Sequence, residues 1–111
     1  MKNLRIESRS VHWEHDEKQI VIEESFLVKG VKHVPHKKLV MILAGERGEA
    51  SDLLAYREDG TFEFSLCSPL GYFYYFAELS NGLGVTCGRN LYETELYTIN
   101  FQTKCLELDS L

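Results

Sequence analysis

The chain of 111 residues is 44% hydrophobic and 26% charged, and 12 Lys and Arg against 17 Asp and Glu leave a formal charge of −5. That length suits a single domain, 1–111, which buries about two-thirds of its extended-chain surface without metal or disulfide support. The charge argues against a general nucleic-acid binder, no apolar stretch is long enough for a membrane span, and the opening residues lack the apolar run of a signal peptide, so a cytoplasmic protein is expected.

The dominant hydrophobic period along the chain is two, the repeat of a half-buried strand. Leu4 and Ile6 alternate with polar residues in Asn3–Glu7, and Val11 and Trp13 alternate with His12 and Glu14. Gln19–Val28 is rich in β-branched and aromatic residues and reads as one strand. Gly30 and Pro35 interrupt the region that follows, and Leu39–Ala44 is apolar on both faces, as a central strand requires. Leu53–Arg57 suits a strand better than the short helix that Glu49–Glu58 would otherwise allow, because Asp59-Gly60 signals a tight hairpin into Thr61–Leu66. In that second strand Phe62, Phe64 and Leu66 are expected on one face. Tyr72–Phe76 is aromatic on both faces and suits a central strand. Val85–Cys87 and Glu95–Phe101 follow, the latter with Tyr97, Ile99 and Phe101 together, and Leu106 and Leu108 share a face of the last segment. These runs predict an all-β fold, an antiparallel meander of about eight to nine short strands forming a sandwich or barrel-like domain, with at most one short helix.

Two hairpins carry a resemblance. Leu54–Phe64, with its Glu-Asp-Gly turn, looks like the strand, acidic-Gly turn and aromatic strand of quinoprotein-type β-propeller blades, and Leu96–Leu106 looks like their Tyr-x-Ile-Asp-x-x-Thr-Gly-Lys hairpin, with Asn100 in place of Asp and Cys105 after Lys104. The likeness spans about half of the chain, and a full propeller needs at least about four blades of roughly forty residues, whereas this chain has material for two at most. The chain is more similar to small bacterial all-β proteins, some of which act as immunity proteins, and that similarity implies protein binding rather than catalysis.

Few residues suggest chemistry. Cys67, Cys87 and Cys105 form no CxxC pair; Cys87 and Cys105 lie in apolar segments and are expected to be buried, whereas Cys67 before Ser-Pro-Leu-Gly is the candidate reactive thiol. The pairs His12/His15 and His33/His36 have i, i+3 spacing, which on a strand points to opposite faces, so no metal site is expected unless the strands of His12 and His33 are neighbours. No GxSxG, Walker A, HExxH or GxGxxG motif occurs, and no cofactor is implied.

Three surfaces remain. Residues 29–38 hold Lys29, Lys32, Lys37 and Lys38 and no acid, a basic strip suited to phosphate or an acidic partner, or to blocking sheet-to-sheet pairing on an edge strand. Glu46, Glu49, Asp52, Glu58 and Asp59 cluster around two predicted turns and form a candidate acidic face for a basic partner. Tyr72 and Tyr74, on the aromatic strand, are candidate contacts for a protein partner or for self-association. The expected function is thus non-enzymatic protein binding, immunity-like, through the acidic turn face and the aromatic strand. The alternatives are a small-molecule-binding or enzymatic β-barrel and a homo-oligomeric structural unit.

Overall fold

The structure is a computed structural model, and it describes residues 1–24, 27–45, 49–80 and 82–108. Eleven strands run in chain order: β1 Lys2–Glu7, β2 Ser10–His15, β3 Lys18–Glu23, β4 Leu27–Val34, β5 Leu39–Gly45, β6 Asp52–Arg57, β7 Phe62–Cys67, β8 Tyr72–Leu79, β9 Gly82–Gly88, β10 Thr94–Asn100 and β11 Cys105–Leu108. One short 3-10 turn, Pro35–Lys37, joins β4 to β5. The strands form three antiparallel meanders: a first sheet of β1–β3, a middle sheet of β4–β7 and a last sheet of β8–β11. The all-β antiparallel expectation holds. The strand count exceeds the expected eight to nine, and the described pairings stack as open sheets with no closed barrel.

The middle sheet lies between the other two. All seven residues of β5 are buried, yet they serve two separate cores. Leu39, Met41 and Leu43 pack with Leu53, Phe64, Phe73, Val85 and Ile99 against the last sheet. Val40, Ile42 and Ala44 pack with Val11, Trp13, Ile22 and Val28 against the first sheet. A strand loaded on both faces needs an uncharged run instead of alternation, and Leu39–Ala44 supplies it. At the strand's end Gly45 admits no side chain, because a Cβ there would sit 1.9 Å from the Glu49 carbonyl oxygen.

Three strands depart from the pattern read from sequence. The apolar run Gln19–Val28 divides into β3 and β4, since β4 leaves the first sheet to open the middle one. Its entry is tied to the β1–β2 turn by Glu24 N–H donating to the Arg9 carbonyl (2.8 Å) and Val28 N–H to that of Ser8 (3.1 Å). Phe62 does not share a face with Phe64 and Leu66. The register shifts between Ala55 and Tyr56, which puts Phe62 opposite Tyr56 and Phe64 opposite Ala55, so the period of two is broken at Glu63. Phe62 meets Tyr56 edge to face, 5.5 Å between ring centroids. Strand β8 is an edge of the last sheet, not a central strand. A register shift between Phe73 and Phe76 turns both of those rings inward and leaves the tyrosines to other environments.

The Asp59-Gly60 hairpin forms as expected. Gly60 N–H donates to the Arg57 carbonyl (2.9 Å) and Arg57 N–H to that of Thr61 (2.7 Å). Glycine is needed twice over: φ is 93°, and a Cβ would lie 2.9 Å from Ile20 on the first sheet. The turn is also held by Trp13, fully buried, whose indole N–H donates to the Glu58 carbonyl at 2.7 Å.

Met41→Ala and Ile42→Ala, one for each core, should each cost about 2–5 kcal/mol in urea unfolding. Because β5 belongs to both cores, each substitution should move one shared transition, read identically by Trp13 fluorescence and by far-UV circular dichroism. Separate transitions by the two probes would show that the cores unfold independently.

Candidate functional site

In a meander, successive turns fall at opposite ends of the sheet. The β2–β3, β4–β5, β6–β7 and β10–β11 turns therefore gather at one end of the stack, where they line a cleft of about 680 Å³. Each sheet contributes: His15 and Asp16 from the first, Lys37, Lys38, Arg57, Glu58, Asp59, Glu63 and Phe64 from the middle, and Phe101, Gln102 and Lys104 from the last.

This geometry divides the acidic turn face. Glu58 and Asp59 lie at the cleft end, whereas Glu49 and Asp52 lie by the β5–β6 connection at the other end of β6; Glu46 is outside the described residues. Glu58 is engaged from three sides. Its carboxylate meets His33 Nε2 at 2.5 Å, its N–H donates to the Lys38 carbonyl (3.2 Å), and its own carbonyl accepts from Trp13. Asp59 accepts from Thr61 N–H at 2.9 Å, and that bond, with nearby Arg57 and His15, holds its carboxyl below the ordinary carboxylate value.

The basic strip divides as well. Lys32 pairs with Glu78, joining β4 to β8 and lowering the Glu78 carboxyl. Lys29 is exposed on β4. Lys37 and Lys38 reach the cleft, where the Lys37 ammonium lies 5.6 Å from the centroid of the Phe101 ring. Opposite, Lys104 lies 5.9 Å from the Phe64 centroid and 3.7 Å from Glu63, and Glu63 also accepts from Arg57 at 2.5 Å. The Arg57 hydrogen bond is the main cause of a lowered Glu63 carboxyl. Arg57, Glu63, Phe101 and Lys104 were not singled out from sequence. The available signal was the alternation of turn ends, which places them beside Lys37 and Lys38.

The aromatic strand supplies a second surface. Alternation from the inward Phe73 puts Tyr72 on the outer face of the last sheet, together with Gly84 and Thr86 of β9 and Leu96 and Thr98 of β10. Leu79 and Leu96 close over Gly84 from either side, each with a methyl about 3.0–3.1 Å from where its Cβ would be. The Thr86 hydroxyl accepts from Tyr75 N–H (3.1 Å) and so satisfies the irregular stretch of β8, while Tyr75 itself is 64% exposed. Ala50 bridges Phe73, its carbonyl accepting from Phe73 N–H at 2.7 Å, and this brings Glu49 beside Tyr74. Burial first, then the charges of Glu49 and Tyr72, raise the Tyr74 phenol above its ordinary value. Glu49 of the acidic turn face is therefore a neighbour of Tyr72 and Tyr74 on the aromatic strand. The outer face of the first sheet differs: Arg5, Glu7, His12, Glu14 and Glu23 point from it, with Glu7 pairing His12 at 2.9 Å.

The histidines do not converge, because His12 and His33 sit in different sheets, and among the described residues no cluster of three or more potential ligands occurs. Cys87 is buried, as expected; Cys105 is exposed, a correction that follows from its place at the start of edge strand β11, and Cys67 is exposed too. Burial, opposed in part by Ser68, pushes the Cys87 thiol up to about 11. Its folded value lies above its ordinary 9.0, so its contribution to stability is complete below about pH 9 and is lost as pH rises through about 11. Native protein should therefore expose two thiols to Ellman's reagent, Cys67 and Cys105, and the third only on unfolding. Between pH 9 and 11 the urea midpoint should fall further in the parent than in Cys87→Ala; equal slopes would exclude the thiol as the cause.

Among the described residues, no helix is long and apolar enough to cross a membrane. No known protein family, curated protein or solved structure matches the chain.

Proposed function

We propose that this chain is a protein-binding domain of immunity-like type whose contact surface is the outer face of the last sheet. The observation that carries this reading is the contrast between the stack's two outer faces. The first sheet presents Arg5, Glu7, His12, Glu14 and Glu23, which water solvates well. The last sheet presents Tyr72, Leu79, Thr86, Leu96 and Thr98 around β9, with Glu107 of the edge strand β11 opposite Thr98 as the charge at its margin. In a body of net charge −5, such a face carries less charge than a solvated surface ordinarily does, and tyrosine is a preferred contact residue. The partner it fits is a protein that lays an uncharged, strand-rich surface on the sheet, with Glu49 at the rim beside Tyr74.

A second copy of the chain is the alternative occupant. It is favoured by the same low charge, because two negative bodies meeting around β9 keep Glu107, on the edge strand β11, at the margin of the contact.

Tyr75→Glu with Leu96→Glu tests both readings. Light scattering after size exclusion at two concentrations separates them: a dimer that the double variant returns to monomer assigns the face to self-association. A monomer that captures a stoichiometric partner, with affinity reduced at least about thirtyfold in the variant, assigns it to a different protein. A monomer whose capture is unchanged by the substitutions, or which captures nothing, overturns the proposal.

A further inference from the structure

The cleft at the stack end supports an inference independent of the sheet face. We propose that it binds a small organic anion, an apolar body bearing a phosphate or carboxylate group. Its apolar wall comes from Leu39 and Phe64, both nearly buried, and from Phe101. Above that wall stand two ammonium groups set over rings, Lys37 over Phe101 and Lys104 over Phe64. A ring holds an ammonium in place without neutralising it, so its charge stays available to a ligand. Among the described residues no carboxylate pairs with Lys37 or Lys38, and Lys104 shares Glu63 with Arg57.

The acids of the cleft are already engaged. Glu58 is held by His33, Asp16 meets His15 at 3.4 Å, and Asp59 turns to the Thr61 amide. The lysines lacking such partners set the preference for an anion, and the apolar wall sets the preference for an organic one. Backbone geometry fixes the two basic turns, since Lys38 and Lys104 hold left-handed conformations, with φ of 57° and 58°.

Phenyl phosphate is the probe, with inorganic phosphate and phenol as its two halves. Each is titrated at low salt into ¹⁵N-labelled full-length protein and followed by amide chemical shifts. Phenyl phosphate should saturate, with the largest shifts at Lys38, Asp59, Gln102 and Lys104, and bind more tightly than either half. Lys37→Gln with Lys38→Gln should weaken it about five- to tenfold, whereas Lys29→Gln should leave it unchanged. Asp59→Asn keeps an oxygen for the Thr61 amide but removes a negative charge, and should tighten binding about two- to fivefold. The spectra report the fold of each variant directly. Absence of saturation, shifts scattered away from the cleft, or equal binding by the parent and the Lys37/Lys38 double variant overturns the proposal.

Discussion

One strand buried on both faces governs the architecture. Leu39–Gly45 is wholly buried, and its alternate side chains enter two different cores. Water on either face would expose Leu, Met, Ile or Val, each worth about 1.5–3 kcal/mol when buried. A two-layer sandwich satisfies only one face, so β5 requires a sheet on either side, and the first and last sheets meet that requirement. The stack then ends in two further faces that nothing within the described chain covers. One is densely charged, and the other carries Glu107 at its edge strand. The interaction reading thus follows from how many faces the central strand demands, and which outer face was left with less charge.

Topology places the second site. Consecutive turns of a meander alternate between ends, so residues close in sequence, such as Asp52 and Glu58, are separated, whereas residues of distant turns, such as Lys37 and Lys104, are brought together. Glu58 stabilises this end. Through backbone and side chain it ties Trp13 of the first sheet, His33 of β4 and the Lys38 turn to a single residue. The cleft is therefore built on turns anchored by the core, and their charged side chains are presented from a fixed frame.

The strands of this fold were legible because period-two patterning and Asp-Gly punctuation are local signals. Val11 and Trp13, Leu53–Arg57 and the run Leu39–Ala44 all lie where their patterns put them. Two kinds of feature were not legible. Register shifts leave the composition of a strand unchanged while moving a side chain to the other face, as with Phe62 opposite Tyr56. Edge position depends on what lies alongside, so the aromatic richness of Tyr72–Phe76 suggested a central strand, while β8 is an edge partly covered by Ala50. The site was legible in pieces. Lys37, Lys38, Glu58 and Asp59 stood out by charge, but their meeting with Phe101 and Lys104 depends on sheet stacking across more than forty residues.

The order of the sheets along the chain also matters during synthesis. Strand β5 is finished at Gly45, and the first sheet precedes it, so one of its faces has a cover as soon as it emerges. The other face waits for β8–β10, and β10 ends only at Asn100. At ribosomal rates of about 5–20 residues per second, that leaves Leu39, Met41 and Leu43 uncovered for roughly 3–11 s. An apolar β-segment bare for so long is a point of entry for chaperones and for aggregation, and the exposed lysine of β4, Lys29, stands on the strand beside it.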